Sequence, residues 1–157
     1  MFYFMKNSIE NYSPEIIENA IRRFSSKCYT SLDFKSSASL INEEKYFLGL
    51  ETKKDVKITR IRTPFERVLP KLIVSFPKEK QFLVYKIRCG FFPTVFLFIL
   101  VIACIANLYF LLIGDSSNDD FLLILLYSVA FSGLVFLEVG ITKAKINKAL
   151  KNYDGKS

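Results

Sequence analysis

Three aspartates, Asp115, Asp119 and Asp120, stand within six residues between two strongly apolar runs, in the stretch LLIGDSSNDDFLLI. Clustered carboxylates are common oxygen ligands for a hard divalent cation. Here the spacing argues against that chemistry, because Asp115 and Asp119 are merely four apart and the turning glycine and terminal glutamate of a calcium loop are missing. The stretch reads as a solvated acidic turn, and no metal ligands are assigned. A fourth acid, Glu138, lies inside the second apolar run, where an ionisable group is expensive and is a functional suspect by default. It stands three residues from the end of that run, close enough to reach the headgroups or to pair with Lys143 or Lys145. Proton or ion coupling is the sharper alternative.

The densest basic region is Lys57, Arg60, Arg62, Arg67 and Lys71, with Lys143, Lys145 and Lys148 forming a second group after the last apolar run. Arginine offers paired donors that suit phosphate, whether on a lipid headgroup or a soluble ligand. A solvated strand face is the plainer reading of the first group, and on sequence alone the preferred one. No glycine-rich phosphate loop, Ser-His-Asp set or catalytic carboxylate pair is present, and the chain has no histidine. The expectation is therefore a non-enzymatic protein with no catalytic residue and no cofactor. Glu43, Glu44 and Glu51 read as surface groups. Cys28, Cys89 and Cys104 are odd in number and match no zinc or redox spacing, so they read as small hydrophobic residues.

The elements that must position these groups divide the chain in two. Residues 91–113 carry no charge over 23 positions. At ~1.5 Å per residue such a helix is ~34 Å long, enough for a ~30 Å hydrocarbon core. Residues 121–141 form a second run of 21 with Glu138 as its one charge. Both are transmembrane candidates, joined as a hairpin. Asn107, Ser128 and Ser132 can hydrogen-bond between the two helices, while Gly133 and Gly140 allow close approach. Ten lysines and arginines flank the spans on the outer sides, and the connecting loop 114–120 has none. Under the positive-inside rule both termini are expected in the cytoplasm. Only five apolar residues precede Lys6, too few for a cleaved secretory signal.

Residues 1–90 have a net charge of +7. Anionic lipid headgroups are the expected partner for such a tethered basic domain, with a second copy or another protein as further partners and nucleic acid not expected. Ser13, Pro14 and Glu15, followed by the stripe Ile17, Ala20, Ile21 and Phe24, predict a helix over 14–26. MFYFM before it is either a short strand or an apolar foot on the bilayer. A short strand is expected at 28–34, and four more at 45–51, 55–62, 68–76 and 81–88 make an antiparallel meander. In the second of the four, Arg60 and Arg62 fall on the face of Val56 and Ile58 while Ile61 falls on the other. A bulge near Thr59 or Arg60 would return Ile61 to the apolar side. After the second span, Ile146, Ala149, Leu150 and Tyr153 predict a short amphipathic helix that lies in the headgroups or closes against the sheet, lipid contact being preferred.

The expected fold is thus an α+β membrane protein. A small N-terminal helix and antiparallel sheet occupy 1–90, a two-helix transmembrane hairpin 91–141, and a basic amphipathic helix 142–157. The succession Tyr46-Phe47-Leu48-Gly49, Val56-Lys57-Ile58-Thr59-Arg60 and Arg67-Val68-Leu69-Pro70, followed by a strand and two spans, resembles a group of small bacterial membrane proteins with no assigned activity. The likeness covers about residues 45–141. The chain departs from the group's pattern at Lys71, where a glycine is usual. In layout alone it is also similar to bacterial pleckstrin-like membrane domains. The resemblance implies a bacterial inner-membrane location. The function expected is a membrane-anchored, cytosol-facing interaction or regulatory module. An immunity or toxin-neutralising membrane protein and an oligomeric channel or carrier subunit lined by Asn107, Ser128, Ser132 and Glu138 are the alternatives.

Overall fold

The computed structural model describes residues 3–35, 45–113 and 118–155. Glu43, Glu44 and Asp115 lie outside the described residues. The chain is α+β: an N-terminal six-stranded sheet with one short helix, followed by two long apolar helices.

Helix α1 (Pro14–Arg23) begins where the sequence predicts. The Ser13 side chain accepts from the Ile16 N–H at 3.4 Å, Pro14 occupies the first turn, and Arg22 and Arg23 suit the negative end of the helix dipole. It stops at Arg23 rather than at 26. The Phe24 carbonyl accepts from the N–H groups of Tyr46 and Phe47 at 2.9 and 3.1 Å, which commits the chain to the sheet. Ser25–Lys27 accordingly form strand β2, parallel to β3 (Phe47–Glu51).

Strands β3, β4 (Asp55–Arg60), β5 (Leu72–Pro77) and β6 (Val84–Cys89) form the expected meander. The sheet is wider than predicted, because β1 (Met5–Ser8) adds to the free edge of β6 and β2 to that of β3. MFYFM therefore leads into a strand, with Met5 opposite Ile87. Strand β5 starts four residues later than expected, since Phe65–Val68 form a 3-10 turn. Strand β6 starts at Val84 because Gln81 and Phe82 turn the chain with positive φ of 48° and 62°, which sends the Phe82 ring into the core against Phe76.

Two further expectations are corrected. Residues 28–34 are no strand. They strap across the back of the sheet, where Cys28 and Leu32 pack on Leu48 and Ile73, and the Cys28 N–H reaches the Gly49 carbonyl at 2.7 Å. Nor is there a bulge between β3 and β4, whose register runs unbroken from Phe47↔Arg60 to Glu51↔Val56. Ile61 stays on the back face because the strapped cluster covers it there. Arg60 stays on the front face, among the core residues.

That front face carries the main core: Phe47, Val56, Ile58, Val74, Phe76 and Ile87, covered by Ile17, Ala20 and Ile21 of α1. The rest of the cover comes from the far end of the chain. Helix α2 (Phe91–Ile113) matches the predicted first span, but α3 (Asn118–Asp154) runs unbroken for 37 residues, ~55 Å at 1.5 Å per residue. The predicted separate C-terminal helix is its last third. Ile146, Ala149 and Leu150 are at most 1% exposed against α1 and the sheet, so the preferred lipid contact for this face is overturned. The physical reason is that the meander and α1 leave one side of the core open, and this stripe closes it. Helix α2 has no buried residue, and α3 up to Leu137 is similarly exposed; both are long and apolar enough to cross a membrane.

Candidate functional site

One end of the sheet, where β5 starts and β6 ends, meets the two long helices. Arg60, the last residue of β4, points inward with Val56 and Ile58 and is 2% exposed. Glu138 of α3 is 1% exposed opposite it. The guanidinium donates from Nε to Oε1 at 3.1 Å and from Nη2 to Oε2 at 2.8 Å, the paired fork geometry that makes such contacts strong. Its third nitrogen, Nη1, donates to Glu66 at 2.6 Å. Glu66 in turn accepts from the Thr63 N–H and hydroxyl at 2.8 and 3.0 Å, which holds the 3-10 turn in place. Burial opposes ionisation of Glu66, but these donors and Arg60 outweigh it and bring its pKa down to about 2. One arginine thus joins the sheet, the turn and the long helix.

Glu138 is therefore paired with Arg60, and not with Lys143 or Lys145. Equally, Arg60 does not present itself to a phosphate. On the sequence, each of the two was a charge out of place: Arg60 at the parity of the core residues in its strand, Glu138 in an apolar run. Opposite charges stranded in two elements are the signal that pairs them.

Beside this junction lies an open cleft of about 440 Å³. Its polar wall is Arg62, Arg67 and Lys71, together with Asp33 of the strap and Lys35 just after it. The opposite wall is apolar, formed by Phe92 and Phe96 of α2 and Phe131 of α3, the last two with ring centroids 4.8 Å apart. The Arg62 guanidinium donates to the Leu69 carbonyl. Lys71 Nζ donates to the carbonyls of Leu32 and, at 2.6 Å, Lys35. Burial and the neighbouring Arg62 charge lower the Lys71 pKa to about 8. Asp33 is already engaged. Arg88, 4% exposed, grips it through two bonds of 3.0 and 2.9 Å and holds its carboxyl below the usual range, and the Phe91 N–H adds a third at 2.9 Å. Sequence reasoning missed Asp33 and Arg88 because the partners lie 55 residues apart.

Of the predicted basic group, then, Arg62, Arg67 and Lys71 come together. Lys57 lies with Asp55 at 3.8 Å near the other end of β4. On α3, Lys145 and Lys148 sit over the Tyr46 ring at 5.3 and 5.9 Å, and Lys143 lines a hollow with Asn7 and Tyr85. None of these three lines the cleft. Between the helices, the Ser128 hydroxyl meets Cys104 Sγ at 3.5 Å. Asn107 and Ser132 bond carbonyls of their own helices, Ala103 at 3.2 Å and Ser128 at 2.8 Å. A methyl group added at Gly133 or Gly140 would meet nothing within 4 Å, so these glycines do not bring α2 and α3 together. Asp119 is exposed in the first turn of α3.

No protein-family model, curated protein or solved structure matches this chain.

Proposed function

We propose that the chain is a two-span membrane protein that holds a basic sheet domain against one surface of a bilayer, as an interaction module and not an enzyme. The observation that carries this reading is helix α3. Between Leu122 and Leu137 most of its apolar side chains are exposed and none is buried, whereas from Glu138 onward one face of the same helix, Val139, Ile146, Ala149 and Leu150, is buried in the sheet core. So long an apolar surface beside that of α2 is a liability in water and the normal condition of a helix in lipid. The Arg60–Glu138 pair stands at the changeover and ties anchor to domain. The ten outer cations against none in 114–120 support a cytoplasmic placement of the domain and both termini, and the resemblance to small bacterial proteins supports the inner membrane.

The test uses the full chain with its three native cysteines replaced by alanine and one cysteine introduced, Ser117→Cys or Ser157→Cys. The protein is expected to stay with the membranes in alkaline carbonate. A membrane-impermeant maleimide added to intact spheroplasts is expected to label position 117, and position 157 only after lysis. Release by carbonate would remove the anchor, and labelling of both positions from one side would remove the two-span topology.

A further inference from the structure

We propose that the cleft between the 3-10 turn and the two long helices is a binding site for one anionic phospholipid, its phosphate on Arg67, Lys71 and Arg62 and an acyl chain along Phe92, Phe96 and Phe131. This rests on the membrane reading above and adds a ligand to it. Three observations converge. First, the two walls differ in chemistry in the sense an amphiphile needs: the cations come from the sheet domain, and the rings come from helices with exposed apolar surfaces. Second, charge is unbalanced there. Even leaving Arg62 aside, five cations and three carboxylates among the described residues gather around this end of the sheet, an excess of two positive charges. Two of those carboxylates, Glu138 and Asp33, are gripped by Arg60 and Arg88, so an anion from outside is the natural complement. Third, the apolar side chains exposed on this end of the domain are those of a surface that dips into an interface: Phe65 is 93% exposed, Val68 78% and Phe34 66%. Lys71 belongs to the site by position, since it lines the cleft beside Arg62, and burial together with that neighbouring charge lowers its pKa to about 8.

The phosphate could in principle be met free in solution, but a free phosphate would leave the aromatic wall without a role. The site is therefore assigned to a lipid, and the experiment separates the two. The full chain in mild detergent would be exchanged into nanodiscs of phosphatidylcholine with a minor share of phosphatidylglycerol, and the lipid retained after detergent extraction would be read by native mass spectrometry. Phosphatidylglycerol is expected to be retained over phosphatidylcholine. Arg67→Gln, at an exposed residue, should weaken retention about fivefold, the effect of ~1 kcal/mol for a cation at the headgroups, and Arg67→Gln with Lys71→Gln further. Lys53→Gln with Lys54→Gln, exposed at the opposite end of the sheet, should leave retention unchanged. Equal retention of the two lipids, or an equal loss in the Lys53/Lys54 variant, would overturn the site. Displacement by millimolar glycerol phosphate would overturn the lipid assignment. Carbonate extraction of the same variants keeps the outcomes apart, since an anchored protein that retains no phosphatidylglycerol refutes the cleft and leaves the anchor standing.

Discussion

Arg60 and Glu138 each break the pattern of the element they belong to, and each is tolerable only because of the other. Taking either charge out of water alone costs several kcal/mol, which a forked, doubly bonded partner can offset. Replacing one member, Arg60→Leu or Glu138→Leu, should therefore cost ~3–5 kcal/mol in unfolding of the solubilised chain, whereas the double replacement should recover most of that loss. A double variant no more stable than the single ones would show that the pair also sets the geometry of the junction. Glu66 supplies a pH signature. Its pKa is held near 2 against an ordinary 4.5, so its contribution is complete above pH 4.5 and is lost as pH falls toward 2. Glu66→Gln should flatten part of the fall in melting temperature over that window, leaving the slope that Asp33, Glu51 and Asp55, shifted in the same direction, still supply. At this scale the sequence showed the anomalies and not the pairings. Arg62, Arg67 and Lys71 are close in the chain and line one cleft. Arg60 is equally near in the chain, but its parity with Val56 and Ile58 turns it to the core and away from that cleft.

Among the elements, those specified by their own residues were legible: α1 from its cap and stripe, the meander from its β-branched and aromatic runs, α2 from its uncharged length. What escaped was decided by distant partners. Strand β2 exists because β3 offers it backbone bonds, and β1 because β6 has a free edge. The unbroken helix α3 reads as two pieces in the sequence because its hydropathy changes after Ile141, and hydropathy reports surroundings, not helix ends. Its continuity is testable in two ways. One alanine inserted after Gly140 turns the following residues by ~100° and takes Ile146, Ala149 and Leu150 out of the core, a loss comparable with the ~5–15 kcal/mol of a whole domain. Cooperative unfolding should disappear. Gly140→Ala, by contrast, fills open space in a helix interior and should raise the melting temperature by the equivalent of ~1 kcal/mol. A fall would mean that another molecule packs against that glycine.

Over the whole molecule, the division at residue 90 suggested by hydropathy is not a division of the fold. Residues 139–150 supply Val139, Ile146, Ala149 and Leu150 to the core of the N-terminal sheet, so residues 1–90 alone lack one side of their interior. A chain ending at Gly90 should give no dispersed amide spectrum, while the full chain in detergent should; a folded fragment would refute the shared core. The same helix also sets an order of events during synthesis. The sheet residues leave the ribosome first, yet the piece that closes over them is made last, after both apolar helices. Until then the side of the core that α1 does not cover stays open, and protease resistance of the N-terminal part should arise only in stalled chains long enough to expose residue 150. The protein is therefore obliged to finish its anchor before it can finish its domain, so a chain that fails to complete its second helix has no folded domain to leave behind.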